Sequence, residues 1–137
     1  HELIVCGYPG AEAFANNFKL GKFSITRPEA IAPTVPPLDS AIPRMDRGER
    51  DTILAYASGA ADFIIIDDGR AAGFCRKQTI PYINALLCPR VLFFAGRISE
   101  NTCCVKTAGI INIGRYSAAV INQALASSGH DLTFFLP

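Results

Sequence analysis

The chain has 137 residues, of which half are apolar and 18% are charged. This length suits one domain with a real hydrophobic core, and the apolar share argues against a disordered chain. Thirteen basic residues balance twelve acidic ones, so any affinity for nucleic acid must come from a local basic patch. No apolar run approaches the roughly 20 residues that a membrane span needs. We therefore expect a soluble, cytoplasmic protein.

The cysteines are five in number and lack the spacing of a disulfide framework or a metal site. We expect them to be reduced, mostly packing thiols. An enzyme that uses Cys75 or Cys88 as its nucleophile is one alternative, although neither has a histidine nearby in the sequence. The chain opens at His1 rather than at a methionine, so we expect the natural protein to start earlier.

The amino-terminal part of the chain predicts a helix, a strand and a loop. Phe14 and Phe18 have helical spacing within a predicted helix over residues 11–20. The alternation of apolar and polar side chains at residues 23–26 predicts a short strand. The density of prolines between residues 28 and 43 excludes a helix and predicts an extended loop.

The middle of the chain contains the most informative stretch. A helix predicted over residues 46–58 ends at Gly59, and a β-branched strand follows at residues 63–66. We expect this strand to be buried on both faces. Asp67 and Asp68 come directly after it, at the sheet edge where open α/β folds bind their ligands. The alternative is that Asp68 only caps the next helix.

The remaining elements continue the alternation of helix and strand. In chain order we predict a helix at residues 70–77, a strand at 79–83, a helix at 84–95 with Pro89 in its first turn or at a kink, helices at 106–113 and 117–126, and a final strand at 131–136. Tight connections between helices and strands are typical of parallel βαβ layering. The sequence therefore predicts an α/β fold.

Acidic side chains recur where predicted elements begin or end. They are Glu2, Glu49, Asp51, Asp67 and Asp68. If the helices that carry Glu2 and Glu49 pack beside the central strand, these carboxylates converge at its tip. A carboxylate cluster is tolerated when a hard divalent cation neutralises it, and oxygen ligands favour Mg²⁺ or Mn²⁺. Such ions activate water for attack on a phosphodiester, so the pattern predicts a nuclease. The alternatives are a helix-dipole role for Glu49 and an exposed terminus for Glu2.

Several short motifs together resemble the PIN domain over nearly the whole chain. They are Glu2-Leu3 with Gly7, Gly48-Glu49-x-Asp51, Ala61 through Asp67-Asp68-x-Arg70, Lys77-Gln78-Thr79-Ile80-Pro81, Gly96-Arg97-Ile98, and Arg115-Tyr116-Ser117. The chain is most similar to VapC-type toxin nucleases and to related uncharacterised prokaryotic PIN proteins. The resemblance implies a three-layer α/β/α fold with a central, mostly parallel sheet, in a single domain over residues 1–137 that lacks the first strand and helix of the family.

The resemblance also implies a function, namely a metal-dependent endoribonuclease with Mg²⁺ or Mn²⁺ as its cofactor. By position, Glu2, Glu49 and Asp68 match catalytic, metal-binding acids, and Asp67 and Asp51 match additional metal ligands. The implied partners are an RNA substrate, an antitoxin protein and a second copy of the chain in a homodimer. The family's first strand, which bears another aspartate, is missing, so a diverged, inactive scaffold that binds a partner is the main alternative. A receiver-like domain is a further alternative.

Basic and aromatic side chains provide candidates for RNA contacts. Arg70, Arg97 and Arg115 are predicted to contact phosphates, with ordinary surface charge as the alternative. Tyr8, Tyr82 and Tyr116 are candidates for base stacking, with a role in the core or at its rim as the alternative. A wide apolar stripe is a candidate dimer interface or a cover for the sheet, and its members are Leu86, Leu87, Val91, Phe93 and Phe94.

Overall fold

The computed structural model of the chain describes residues 10–25 and 45–136. Two compact units make up the chain, His1–Ala32 and Pro33–Pro137. The predicted loop at residues 28–43 lies outside the described residues. None of the helices in the two described ranges has the length and apolar character that crossing a membrane requires.

In the first unit, helix α1 spans Ala11–Lys19, as the spacing of Phe14 and Phe18 predicts. Both of these rings contact Phe23, and their ring centroids lie 4.7 Å and 5.9 Å from that of Phe23. Phe23 folds back onto the helix in this way because an aromatic cluster buries more apolar surface than an unpaired strand does. The prediction of a strand is therefore wrong over residues 23–25, which have no regular structure.

In the second unit, helix α2 spans Arg47–Ala57 and agrees with the prediction. The Glu49 carboxylate accepts a hydrogen bond from the Asp46 backbone N–H at 3.1 Å, as in a capping box. Ile53 lies on the covered face of the helix and is fully buried. Gly59 follows the helix with a φ of +79°, a conformation that glycine adopts without strain.

The sheet of the described residues consists of strand β1, Ile64–Ile65, and strand β2, Tyr82–Ile83, which pair in parallel. The prediction of a first strand buried on both faces is wrong, because the side chain of Ile65 is 52% exposed whereas Ile64 and Ile66 are only 4% and 6% exposed. The helices that flank β1 in the sequence both contribute to the core on the face of Ile64 and Ile66. The β-branched run therefore reflects strand propensity rather than burial on two sides.

Helix α3, Gly69–Lys77, connects the two strands and completes a parallel βαβ unit. Its inward side chains are Ala71, Phe74 and Cys75, all of which are buried. They form one core with β1, with α2 and with Ile80, which lies just before β2. The fold is thus mixed α/β and mostly helical, and its described sheet has two parallel strands.

Helices dominate the part of the chain after β2. They are a 3₁₀ helix at Ala85–Leu87, α4 at Cys88–Phe94, α5 at Glu100–Ile113 and α6 at Ala118–Ala126. Pro89 lies in the first turn of α4, where its missing N–H costs little. Helix α5 begins six residues earlier than predicted, because the Ser99 hydroxyl accepts a hydrogen bond from the Thr102 N–H and caps a longer helix.

The apolar stripe around α4 is largely used inside this unit. Leu86 is fully buried, and the Phe94 ring lies beneath the Arg90 guanidinium at 5.4 Å. The same guanidinium donates to the Ser127 carbonyl oxygen at the end of α6 and so ties the two helices together. A homodimer interface at this stripe stays a prediction.

The chain closes in a 3₁₀ helix, Thr133–Phe135, where the sequence predicts a strand. The Asp131 carboxylate accepts a hydrogen bond from the Ser128 N–H at 2.8 Å, and such side-chain bonds favour a turn over an extended chain. Phe135 packs edge-on against Phe63, with ring centroids 5.1 Å apart. The prediction of a final strand is therefore wrong.

Candidate functional site

A cleft of about 520 Å³ opens at the carboxyl ends of the two parallel strands. Ile66 and Asp67 line it directly after β1, and Ile83 and Asn84 line it at the end of β2. Residues of α6 and of the segment before that helix, including Tyr116, complete the walls. This is the edge at which open parallel sheets bind ligands, so the cleft lies where the sequence predicts chemistry.

Asp67 is the aspartate that faces this cleft, a choice that the sequence leaves open. Its Oδ1 accepts a hydrogen bond from the Ala85 backbone N–H at 2.9 Å. The bond joins the end of β1 to the turn after β2, two segments that are far apart in the sequence. Asp67 is therefore held in position at the mouth of the cleft.

Asp68 has a different position and caps helix α3. Its Oδ1 accepts hydrogen bonds from the N–H groups of Arg70 at 2.8 Å and Ala71 at 2.9 Å. The bond from the Ala71 N–H, with those from the Arg70 N–H and its guanidinium, holds the pKa of Asp68 below its usual value. The capping role that the sequence offers as an alternative is thus confirmed, and the carboxylate is ionised at neutral pH.

Glu49 and Asp51 lie in the first half of helix α2 and take part in local contacts. The half-buried Glu49 is bonded to the Asp46 N–H, as described above. Asp51 lies 3.7 Å from the guanidinium of Arg47, one helical turn earlier, in a pair that is mostly exposed on the arginine side. Both acids therefore help to stabilise the helix itself.

Glu49 lies on helix α2, which packs against β1, and it does not line the cleft. Met45, which precedes the helix, packs against the same core as Ile66. Glu2 and the base-stacking candidate Tyr8 lie outside the described residues. Within the described ranges, no three His, Cys, Asp or Glu side chains lie close enough together to hold a metal ion.

The three predicted phosphate-binding arginines have three different positions. Arg115 lines the cleft together with Asp67. Arg70 is exposed, and its Nε lies 3.9 Å from Oδ1 of Asp68. Arg97 is exposed in the connection after α4 and does not line the cleft. The structure therefore brings one of the three to the strand-tip cleft.

Arg76 also lines the cleft, as do Asn84 and Gln123, which are not among the site residues that the sequence predicts. The guanidinium of Arg76 donates a hydrogen bond of 3.4 Å to the hydroxyl of Tyr82, which also lines the cleft. Asn84 follows β2 as Asp67 follows β1, so the strand-tip rule applied to the second strand would have identified it. No local sequence signal marks Gln123, which lies on α6.

Tyr116 is fixed in the cleft wall by its neighbours in the sequence. A Cβ atom at Gly114 would overlap the Tyr116 ring, so only glycine permits this packing. The Ser117 hydroxyl accepts a hydrogen bond from the Val120 N–H and begins α6 immediately after the tyrosine. Partial burial and the negative charge of Asp67 raise the pKa of Tyr116 to about 12. Its hydroxyl therefore keeps its proton at neutral pH and is a donor beside the Asp67 carboxylate.

The surroundings of the Cys75 and Cys88 thiols disfavour the thiolate form. Burial raises the pKa of both, and for Cys88 the charge of Asp67 raises it further. Because the nucleophilic form of cysteine is the thiolate, these environments oppose the chemistry. The geometry therefore gives no support to the cysteine-enzyme alternative.

Comparison of the chain with protein-family models, with curated proteins and with solved structures found no match. A proposal about function therefore depends on the motifs of the sequence and on the geometry of the cleft.

Proposed function

We propose that the chain is a metal-dependent endoribonuclease of the PIN type whose site lies at the carboxyl edge of the parallel sheet. The observation that carries this proposal is the position of Asp67, which follows β1 and lines a cleft together with Arg76 and Arg115. A carboxylate suits Mg²⁺ or Mn²⁺, and guanidinium groups suit phosphate. A phosphodiester and a divalent cation are the ligands that this combination fits best.

The proposed metal ligands are Asp67, Asp68 and Glu49, with Asp51 as a further acid on α2. Asp68 is kept ionised by backbone donors, and Asp67 is held at the cleft by the Ala85 N–H. In the described residues no three of these side chains lie close enough together to hold a metal ion, so the proposal requires that at most two of them hold the ion together with another carboxylate, for which Glu2 is the candidate. A bound Mg²⁺ or Mn²⁺ supplies Lewis-acid chemistry toward water and phosphate.

The wider fold belongs to the same proposal. It is a PIN-like three-layer α/β/α domain over residues 1–137, without the first strand and helix of the family. The unit formed by β1, α3 and β2, with α2 packed against β1, supports it. An RNA substrate, an antitoxin partner, a homodimer and a cytoplasmic location are the properties that the family resemblance adds.

Cleavage of single-stranded RNA by the purified chain, with Mg²⁺ or Mn²⁺ and with EDTA, tests the proposal. Asp67→Asn keeps an acceptor for the Ala85 N–H, and Asp68→Asn keeps a good N-cap, so both remove charge while keeping an acceptor for the backbone donors. We expect each variant to reduce cleavage to the level seen with EDTA. Asp62→Asn, which changes an exposed acid before β1, is the matched control and should cleave normally. Equal cleavage by all four proteins would exclude the proposed site.

A binding module without catalysis is the second candidate, and one observation favours it. Glu49, Asp51 and Asp68 each make a contact that stabilises a helix, so folding alone would be sufficient reason for these acids. The two candidates differ in one result. Retention of RNA in a filter-binding assay, with no cleavage at any Mg²⁺ or Mn²⁺ concentration, identifies a binding module.

A further inference from the structure

The cleft contains polar and aromatic side chains besides the proposed metal ligands. They are two guanidinium groups, two phenol rings and two carboxamides, from Arg76, Arg115, Tyr82, Tyr116, Asn84 and Gln123. These residues come from separate elements, namely α3, β2 with the residue after it, the segment before α6, and α6 itself. The fold thus brings three kinds of recognition chemistry into one cavity.

The charged side chains of the cleft favour an anion. Asp67, Arg76 and Arg115 are the charged residues that line it, so cations exceed anions by one. Among the described residues, the Arg115 guanidinium has no hydrogen-bond or ion-pair partner, and all of its donors are available. Arg76 uses one donor toward the Tyr82 hydroxyl, which orients its guanidinium. Planar guanidinium groups with free donors match the geometry of phosphate oxygens.

The uncharged part of the cleft suits a nucleobase. Tyr82 and Tyr116 are half-buried, so part of each ring is accessible, and Leu87 and Val120 add apolar surface beside them. Nucleobases in single strands stack on aromatic side chains of this kind. The Gln123 carboxamide provides a donor and an acceptor, and Asn84 provides amide donors while its Oδ1 accepts a hydrogen bond from the Leu87 N–H at 3.1 Å. Such groups match the polar edge of a base.

The size of the cavity limits the ligand. Its volume of about 520 Å³ is typical of sites for small molecules, which measure about 300–1,000 Å³. One nucleotide fits this range, whereas a duplex presents its bases inside a helix that the cleft cannot enclose.

We propose that the cleft binds one nucleotide of single-stranded RNA, with its phosphate on Arg115 and Arg76 and its base against Tyr116. The inference rests on the proposed ribonuclease function for the identity of the substrate, because a bound nucleotide would place its phosphate beside Asp67. Nucleotide binding itself requires no metal ion and no cleavage.

Titration of the full chain with each of the four 5′-ribonucleoside monophosphates and with inorganic phosphate, in EDTA, tests the inference by calorimetry. We expect the monophosphates to bind more tightly than inorganic phosphate. Tyr116→Ala should weaken binding of the monophosphates about 5- to 150-fold, which is the range that one stacked base contributes, and should leave phosphate binding nearly unchanged. Arg115→Gln should weaken both classes of ligand by about tenfold.

Lys77→Gln is the matched control for the loss of a positive charge. Lys77 is the exposed last residue of α3, next to Arg76, and it does not line the cleft. It should bind monophosphates as the unchanged chain does. Circular dichroism establishes that each variant is folded, and Arg115→Gln, an exposed substitution, tests the site even if Tyr116→Ala does not fold.

Two kinds of result would overturn the inference. The first is weak binding, in which no monophosphate binds at millimolar concentration or all bind no more tightly than phosphate. The second is binding that Arg115→Gln and Tyr116→Ala leave unchanged. If either result is found while Asp67→Asn still abolishes metal-dependent cleavage, the ribonuclease proposal stands and the nucleotide site is rejected. Nucleotide binding without cleavage would retain the site and remove the ribonuclease.

Discussion

The Tyr116 ring packs directly against Gly114, and this contact predicts the effect of adding one methyl group at position 114. In Gly114→Ala the added Cβ would overlap the ring and lie 2.9 Å from the Ile110 carbonyl oxygen. The ring must therefore leave its place in the cleft wall. We expect a lower melting temperature and weaker monophosphate binding, measured by thermal unfolding and calorimetry.

The control for this substitution is Gly109→Ala, in the middle of helix α5. A Cβ at that position meets no atom within 4 Å. Alanine is the better helix former by about 1 kcal/mol, so this variant should be as stable as the unchanged chain or more stable. Equal behaviour of the two variants would show that Gly114 has no special packing role.

The raised pKa of Tyr116 predicts how stability changes in alkaline solution. Its pKa is about 12 in the folded chain and 10.0 when unperturbed, so the unfolded state loses this proton first. The contribution of Tyr116 is fully present below about pH 10 and declines as the pH rises toward about 12. The free energy of unfolding, measured by urea titration across this interval, should fall more steeply for the unchanged chain than for Tyr116→Phe. Parallel curves would contradict the assigned environment.

For single residues, the sequence is sufficient to predict contacts with near neighbours in the chain, and it is insufficient to predict contacts between distant segments. Asp68 caps α3 through the N–H groups of Arg70 and Ala71, which lie two and three residues later, so this cap could be predicted. Which of the adjacent aspartates faces the cleft depends on the Ala85 N–H after β2, a partner that no local pattern identifies. The close packing of Tyr116 on Gly114 is likewise invisible before the turn between α5 and α6 is known.

At the scale of elements, strand β1 is covered on one face, and neighbouring isoleucines should therefore differ in their effect on stability. Ile64→Ala removes a buried side chain, so we expect a cost of about 2–5 kcal/mol. Ile65→Ala changes a side chain that is 52% exposed and should cost less than half as much. Denaturant unfolding of the two variants measures the difference. Equal costs would restore the prediction of a strand buried on both faces.

Ser117 is the N-cap of helix α6, and two substitutions at this position should have opposite effects on the cap. Ser117→Ala removes the acceptor for the Val120 N–H and should reduce stability by about 1 kcal/mol. Ser117→Asp should restore the cap, but it places a negative charge in the wall of an anion-binding cleft. The melting temperature should therefore be lower for Ser117→Ala than for Ser117→Asp or the unchanged chain. Calorimetry should show that Ser117→Asp binds monophosphates more weakly than the unchanged chain does. An Asp variant that binds as tightly as the unchanged chain would contradict the anionic ligand.

The elements differ in how well the sequence predicts them, for a physical reason. Helices α2, α3 and α6 could be predicted because capping residues and periodicity act within one or two turns. The predicted strands near both ends failed because a strand needs a partner, which its own sequence does not reveal. Phe23 and Phe135 instead pack against other aromatic rings.

At the scale of the whole second unit, the cleft combines elements that are separated by long stretches of chain. The end of β1 contributes Asp67, α3 contributes Arg76, and the segment before α6 contributes Arg115 and Tyr116. The sequence predicts the sheet edge because parallel strands share one carboxyl end. It does not predict the composition of the opposite wall, because that depends on how the later helices pack across the edge.

Titration of the ¹⁵N-labelled chain with Mn²⁺, observed by NMR, tests the sheet edge as the functional centre most directly. The paramagnetic ion broadens amide signals near its site. We expect the first signals to broaden at Asp67, Asp68 and the first turn of α2, and we expect Asp67→Asn to abolish this effect. Broadening that begins at exposed acids elsewhere, such as Glu100 or Asp131, would contradict a metal site at the ends of the strands.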